Sequence, residues 1–307
     1  MEDFASAAMM RLVCAGLVRQ GIAPPPGPGH GGAHVPQSAK RAALEAVLQA
    51  HGPGAILRIA DAVPEMPTEM PTDPVAQALL LAQDVPDLMD RWARLERFSH
   101  GRHRVRVTSE GDGVLHLLHV APNQGPPPGR AETLLVMAVL AVLSEGLAGK
   151  ALTFGPAGGS PWREGGRWTG SAGEASGVAF RLAGWNSASA SGADRIVVNR
   201  ASARLDSLRK ALAKDPVRRW TLADLAGASG RSPRSLQRDL ATEATSFSQL
   251  VAETRLQTAA VVLCQATGPG LAEIGFLAGY ADQAHFTRSF SRGVGISPKA
   301  YRAEFAC

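Results

Sequence analysis

Over most of the chain, apolar residues recur every three or four positions, the period of a helix with one buried face. The first such segment spans roughly 5–19. "QSAKRAALEAVLQAHG" (37–52) follows, with Ser38 placed to open a helix and Gly52 to close it. "TDPVAQALLLAQD" (72–84) and "PDLMDRWARLERFSHG" (86–101) keep the period, with Thr72 or Asp73 as a cap and Gly101 as a stop. At "HRVRVTSEGDGVLHLLHV" (103–120) the period drops to two. Val105 and Val107 alternate with Arg104 and Arg106, and "EGDG" supplies a turn, which predicts a hairpin. "RAETLLVMAVLAVLSEG" (130–146) returns to a helix, and "VAFRLAG" (178–184) and "RIVVN" (195–199) read as strands. Proline- and glycine-rich stretches at 24–32, 126–129 and 155–177 mark loops. From "RLDSLRKALAKDP" (204–216) onward the pattern is helical to the end. The expected architecture is an α+β domain over residues 1–200, followed by an all-α domain over 204–304.

The helical third contains a repeat. "LADLAGASGRSPRSLQRDL" (222–240) aligns with "LAEIGFLAGYADQAHFTRSF" (271–290). Leu222, Leu225, Ala226 and Gly230 match Leu271, Ile274, Gly275 and Gly279; Leu236, Arg238 and Leu240 then match Phe286, Arg288 and Phe290. Each copy reads as a short helix, a glycine turn and a second helix. The small residue at Ala226 or Gly275 lets two helices cross closely, and Gly230 or Gly279 takes the positive φ of the turn. An apolar anchor, Leu236 or Phe286, locks the second helix to the first. That is the helix-turn-helix pattern, whose second helix enters the major groove of DNA. "LVAETRLQTAAVVLCQA" (250–266) supplies an apolar helix to join the two copies, with Cys264 as a core residue.

Stepping round each second helix by 100° per residue separates its two faces. With Leu236 and Leu240 inward, Arg234, Gln237 and Arg238 fall on or beside the outward face. With Phe286 and Phe290 inward, Ala284, His285, Arg288 and Arg292 point outward, and Gln283 lies at the flank. Arg and Gln present the paired donors and acceptors that match guanine and adenine edges. The charge agrees with this reading. Residues 1–201 hold 18 Lys/Arg and 18 Asp/Glu, whereas 202–307 hold 14 and 9, so the net charge of +5 resides in the last third. A polyanionic partner is implied there.

Composition narrows the classes further. The 307 residues are 45% hydrophobic and 19% charged, enough to core two domains. Three widely spaced cysteines (Cys14, Cys264, Cys307) argue against a disulfide framework or zinc ribbon and for a reducing compartment. The strongest apolar run, "LLVMAVLAVL" (134–143), is about half a membrane span, and no secretion signal opens the chain. A cytoplasmic protein with no membrane partner is expected.

"IGFLAGYADQAHFTRSFSRGVGISPKAYR" (274–302) closely resembles the C-terminal signature of the AraC/XylS family of bacterial transcription regulators, and "LADLAGASGRSPRSLQRDL" resembles that family's first motif. The resemblance covers about 204–304. It implies seven helices, with two helix-turn-helix units (222–240 and 271–290) placed in successive major grooves of double-stranded DNA. By position, Arg234, Gln237 and Arg238 fall where the first recognition helix reads DNA, and Gln283, His285 and Arg288 fall in the second. Three departures stand out. Ala284 replaces a frequent polar reader, Asp239 is acidic where a base is common, and Ser229 and Arg231 occupy turn positions that are often apolar, which predicts looser packing of the first motif. Residues 71–120 resemble, on helix–hairpin order and "EGDG", the arabinose-binding-type sensor of one subgroup. That implies a small-molecule or protein effector and often a homodimer, with RNA polymerase a further partner of such regulators.

No catalytic or cofactor-binding set emerges, and no metal ligands are expected. His116 and His119, three apart on a strand, point to opposite faces, and no third ligand lies nearby. "GPAGGSP" lacks the Lys-Ser/Thr of a phosphate loop, and Cys14 sits on a helix without a nucleophile elbow. The basic "RHRVR" (102–106) offers an anionic effector a site, although a solvated strand face explains it as well. Trp162, Trp168 and Trp185 line a pocket, or equally pack in a core or on the surface. The expected function is a one-component, sequence-specific transcription regulator with an effector-sensing N-terminal domain. The alternatives are an enzyme in residues 1–200 carried to DNA by the C-terminal domain, or an effector-independent DNA-binding protein.

Overall fold

The computed structural model describes residues 4–25, 34–65, 79, 82–99, 103–111, 113–122, 125–169, 178–185, 203–243, 245–265 and 268–306. They form two compact units that divide between 185 and 203. The N-terminal unit runs β1 (Phe4–Ser6), α1 (Ala7–Arg19), β2 (His34–Pro36), α2 (Gln37–His51), α3 (Pro53–Ile59) and a 3-10 turn (Ala60–Glu65). It continues with α4 (Val85–Ser99), β3 (Arg104–Ser109), β4 (Val114–Val120), α5 (Arg130–Ala148), β5 (Thr153–Pro156), β6 (Arg163–Glu164), β7 (Arg167–Trp168) and β8 (Phe180–Ala183).

The α+β expectation holds for the described part of this unit. β3 and β4 form the predicted hairpin, pairing Val105 with His119 and Val107 with Leu117 in an antiparallel sheet of order β3-β4-β8-β5-β6-β7. Glycine did more in 155–177 than make a loop. Gly165 and Gly166 take positive φ of 57° and 76° and turn β6 back onto β7, registering Arg163 opposite Trp168. Of the three tryptophans, Trp162 is buried edge-on to Phe180 at 5.2 Å, and Trp168 donates from Nε1 to Asp61 at 2.8 Å under the Arg163 guanidinium. The expected helix at 72–84 lies, apart from Leu79 and 82–84, outside the described residues, as does the strand at 195–199.

α5 is the spine of the unit. It is long and apolar enough to cross a membrane by length and composition, yet every residue from Ala131 to Ser144 is buried, against α2, α3 and the 3-10 turn among others. At its first turn it carries Glu132 into the interior. There Lys40 Nζ and Gln37 Nε2 each donate to Glu132 Oε1 at 2.8 Å, and His103 Nδ1 stands 3.2 Å from Oε2. The neighbouring ammonium and imidazole hold the Glu132 carboxyl well below the usual carboxylate range despite its burial. His119 lies edge-on to His103 with Nδ1 at 3.1 Å from Thr133 Oγ1, and burial pushes it down to about 3. Lys40 is only 1% exposed. α2, the central helix α5 and the residue leading into the hairpin are thereby tied through one ionic cluster.

The C-terminal unit is built from seven helices among its described residues: α6 (Ala203–Lys214), α7 (Leu222–Ala228), α8 (Pro233–Thr242), α9 (Phe247–Leu263), α10 (Leu271–Leu277), α11 (Gln283–Val294) and α12 (Pro298–Phe305). Local sequence fixes where they begin. Thr221 and Asp224 form a reciprocal capping box on α7. Ser232 and Ser297 cap α8 and α12 ahead of a proline in the first turn, and Ser246 caps α9. Leu205, Leu208, Leu212, Leu225, Leu236, Leu240 and Leu250 make the core of the first half. In the second half an aromatic ladder runs Tyr280–Phe286–Phe290–Tyr301–Phe305, with successive ring centres 4.9–5.6 Å apart.

Candidate nucleic-acid interface

The two halves of the repeat turn in the same way. In the first, Gly230 at φ 67° donates to Gly227 O at 3.2 Å and Arg231 N donates to Ala226 O at 2.9 Å. In the second, Gly279 at φ 80° donates to Phe276 O at 2.8 Å and Tyr280 N donates to Gly275 O at 2.9 Å. Both are the paired hydrogen bonds by which a left-handed glycine closes a helix. Gly275 meets the close-crossing requirement, since a Cβ there would stand 3.1 Å from the Phe286 Cβ. Gly279 is needed for space as well as torsion, because a Cβ would strike the carbonyl of Pro216.

These turns present α8 and α11 as amphipathic rods. On α8, Leu236 and Leu240 are buried while Arg234, Gln237 and Arg238 are exposed together on the opposite side. On α11, Phe286, Phe290 and Val294 are buried while Gln283, Ala284, His285, Arg288 and Arg292 are exposed. Every residue singled out from the sequence therefore lies at the surface of its helix, three on each. Among the described residues, no ion pair or side-chain hydrogen bond occupies Arg234, Gln237, Arg238, Gln283 or Arg288. Their donors and acceptors point into water, where a phosphate or base edge can take them without first breaking a described intramolecular contact, and charge-assisted bonds of this kind are strong.

Asp282 starts α11 by accepting from His285 N at 2.6 Å, so an acidic residue beside a histidine is a helix cap rather than a catalytic pair. The first motif is not loosened by its unusual turn residues. The Ser229 hydroxyl donates back to Leu225 O and Ala226 O at 2.9 and 3.0 Å, and Arg231 Nη1 reaches Asp239 Oδ2 at 3.3 Å. Leu225, Ala226 and Leu236 stay fully buried beneath them. The same ion pair occupies the acidic residue of α8, lowering its repulsion of a polyanion. Arg218, stacked on Trp220 at 4.5 Å and bonded to Asp224 at 2.6 Å, braces the start of α7.

The candidate chemistry of the N-terminal unit disperses. His116 faces outward to Glu110 at 2.6 Å while His119 is buried, and no group of three metal-binding side chains occurs among the described residues. Cys14 is half-buried, and burial raises its thiol away from the reactive range. His103, read as part of a solvated basic strand, is instead buried against Glu132; only position along the strand was visible in "RHRVR", not its partner 29 residues on.

Residues 225–304 match the family described as a helix-turn-helix domain. The DNA-binding dual transcriptional regulator Rns of Escherichia coli is 28% identical over 112 residues, 36% of this chain and 42% of that protein. The transcriptional activator AggR of Escherichia coli is likewise 28% identical over 112 residues, with the same coverage of 36% and 42%. A crystallised DNA-binding transcriptional dual regulator from Escherichia coli K-12 shares 27% identity, covering 32% of this chain and 88% of that one at a TM-score of 0.31. The chain thus spans less than half the length of these curated relatives. Capped helices, paired glycine turns and sequence similarity agree on a helix-turn-helix domain over residues 225–304 of the C-terminal unit.

Proposed function

We propose that the chain is a sequence-specific transcription regulator that binds double-stranded DNA through α8 and α11 and receives a small-molecule effector in its N-terminal unit. One observation carries the DNA-binding reading: two helices, each set by the same glycine turn, expose Arg and Gln side chains that no other described residue engages. Arg234, Gln237 and Arg238 read one half of the site, and Gln283, His285 and Arg288 read the other. Uncompensated cations on both helices add a sequence-independent attraction to phosphates. RNA polymerase and a second copy of the chain are its further proposed partners, and the cytoplasm its location.

The test is selection of a preferred site from random duplex DNA, followed by titration at several salt concentrations. Binding is expected to weaken steeply with salt. Arg234→Ala or Arg238→Ala should relax base preference in one half of the site by about 1–3 kcal/mol, and Arg288→Ala should do so in the other. Uniform weakening on all sequences would remove the base-reading roles. A full-length protein that selects no site at all would favour an architectural role.

A further inference from the structure

The residue that follows the turn glycine does a second job in both motifs. Arg231 and Tyr280 occupy equivalent positions, each donating its backbone N–H to the carbonyl five residues back. From there each side chain reaches onto its recognition helix. Arg231 meets Asp239 at 3.3 Å, next to the exposed Arg238. Tyr280 meets His285 directly, with ring centres 5.4 Å apart and planes 85° to one another.

The second contact differs in kind from the first. Tyr280 is 6% exposed, and its ring also lies 5.3 Å from that of Phe286, which is fully buried. It therefore stands between the aromatic ladder of the core and one exposed side chain. His285 is held at two points: its backbone N–H by Asp282 at 2.6 Å, and its ring by its perpendicular contact with the Tyr280 ring. Among the described residues, no ring contact, ion pair or side-chain hydrogen bond restrains Arg234, Gln237, Arg238, Gln283 or Arg288. Those five must be ordered when they bind, and ordering a free side chain costs affinity.

We infer that Tyr280 is a positioning residue for DNA recognition: it pre-orders the His285 ring against the core, so that the second helix reads its base with an imidazole already fixed in direction. The inference rests on the proposed DNA-reading role of α11. It adds which of the exposed residues there is built for direction rather than for charge. Restraint matters more for imidazole than for guanidinium. A ring offers one donor or acceptor on each of two divergent nitrogens, so rotation misaligns it, whereas a guanidinium that loses a base edge can still pair with a phosphate through its charge.

The experiment combines ring-ring NMR contacts with half-site binding on the full chain. In the wild-type protein, selectively labelled histidine should show a nuclear Overhauser contact between the His285 and Tyr280 rings. Its absence would overturn the inference without reference to DNA. Tyr280→Met keeps the core filled but removes the aromatic edge, and Tyr280→Phe removes only the hydroxyl. The Met variant should lose about three- to tenfold in affinity for a duplex with an intact second half-site, the size of ordering one side chain. It should lose nothing further on a duplex whose second half is scrambled, and combining it with His285→Ala should be non-additive. The Phe variant should match wild type. Equal loss on both duplexes, or additivity with His285→Ala, would make Tyr280 a core residue only. Amide protection of α11 separates that result from unfolding, and if the Met variant unfolds, the Phe variant and the wild-type ring contact still decide the matter. If no duplex is bound selectively, the DNA-reading proposal fails while the ring contact can still be present.

Discussion

Replacing Gly279 with alanine is expected to damage the C-terminal unit far more than the same change at Gly230, although the two glycines hold nearly the same torsion. Both have left-handed φ, 80° and 67°, so each alanine carries roughly 1–2 kcal/mol of conformational strain. Alanine also restricts the unfolded chain, which returns about 0.4–1 kcal/mol. At Gly230 nothing lies within 4 Å of the added methyl, so the net cost is about 1 kcal/mol. At Gly279 the methyl would overlap the backbone carbonyl of Pro216 and stand 2.9 Å from Arg255 Nε. A carbonyl in the chain leading to the first motif cannot swing aside as a side chain can, so overpacking adds about 1–3 kcal/mol. The assay is native-state amide exchange of the full chain, read at the buried α8 and α11 positions Leu236, Leu240, Phe286 and Phe290. Gly279→Ala should accelerate exchange about five- to a hundredfold more than Gly230→Ala. Equal acceleration would show that torsion alone sets the requirement and that the approach of Pro216 to the turn does not constrain it.

Two perturbations address the N-terminal unit, which holds four of the five tryptophans and so reports its own unfolding by fluorescence. Lys40→Met should destabilise it by about 3–5 kcal/mol by stranding the buried Glu132 carboxylate, and adding Glu132→Gln should recover part of that; an equal or larger loss in the double variant would refute the ionic account. With pH, His119 has its folded value depressed from 6.5 to about 3, so it contributes stability that is lost as pH falls below 6.5. Glu96 accepts from Trp92 Nε1 and Val105 N, and burial nonetheless raises it from 4.5 to about 7, so its contribution is lost as pH rises from 4.5 to 7. The urea midpoint should therefore stay nearly level between pH 4.5 and 6.5 and fall steeply below 4.5, where His119 and the depressed Glu132 act in the same direction. Glu96→Gln should expose a rising slope in that window, and its failure to do so would assign the level region to other groups.

What could be read in the chain beforehand divides along the range of the interaction. The repeat was legible because its determinants lie within twenty residues: a small residue, a glycine four on, an apolar anchor and a capping Ser or Asp. The outward sets on α8 and α11 followed from helical period alone. Helix starts were less secure. Ser38 looked like a cap, yet α2 begins at Gln37 behind Pro36, and Gln37 spends its side chain on Glu132, 95 residues away. Gly52 is the stop its sequence position predicts, at φ 73°, but the Pro53 after it opens α3 in the first-turn position a proline suits. The strands β6 and β7 are two residues each, too short for alternation to register, and only the Gly165–Gly166 pair hinted at a hairpin.

The deepest gap is the ionic cluster on α5. "RAETLLVMAVLAVLSEG" reads as a buried helix with a polar first turn, where Glu132 should meet water and the positive end of the helix dipole. Burying it becomes tolerable only because Lys40 and His103 arrive from 92 and 29 residues away, and no local pattern encodes that meeting. Such a cluster is costly to desolvate and weak as net stabilisation, so apolar packing at the same place would serve the core at least as well. What it does supply is mutual dependence. α2, the hairpin and α5 cannot separate without exposing an unpaired charge, so displacement of one requires rearrangement of all three. In this chain the residues that couple the three elements are the ones its local sequence conceals.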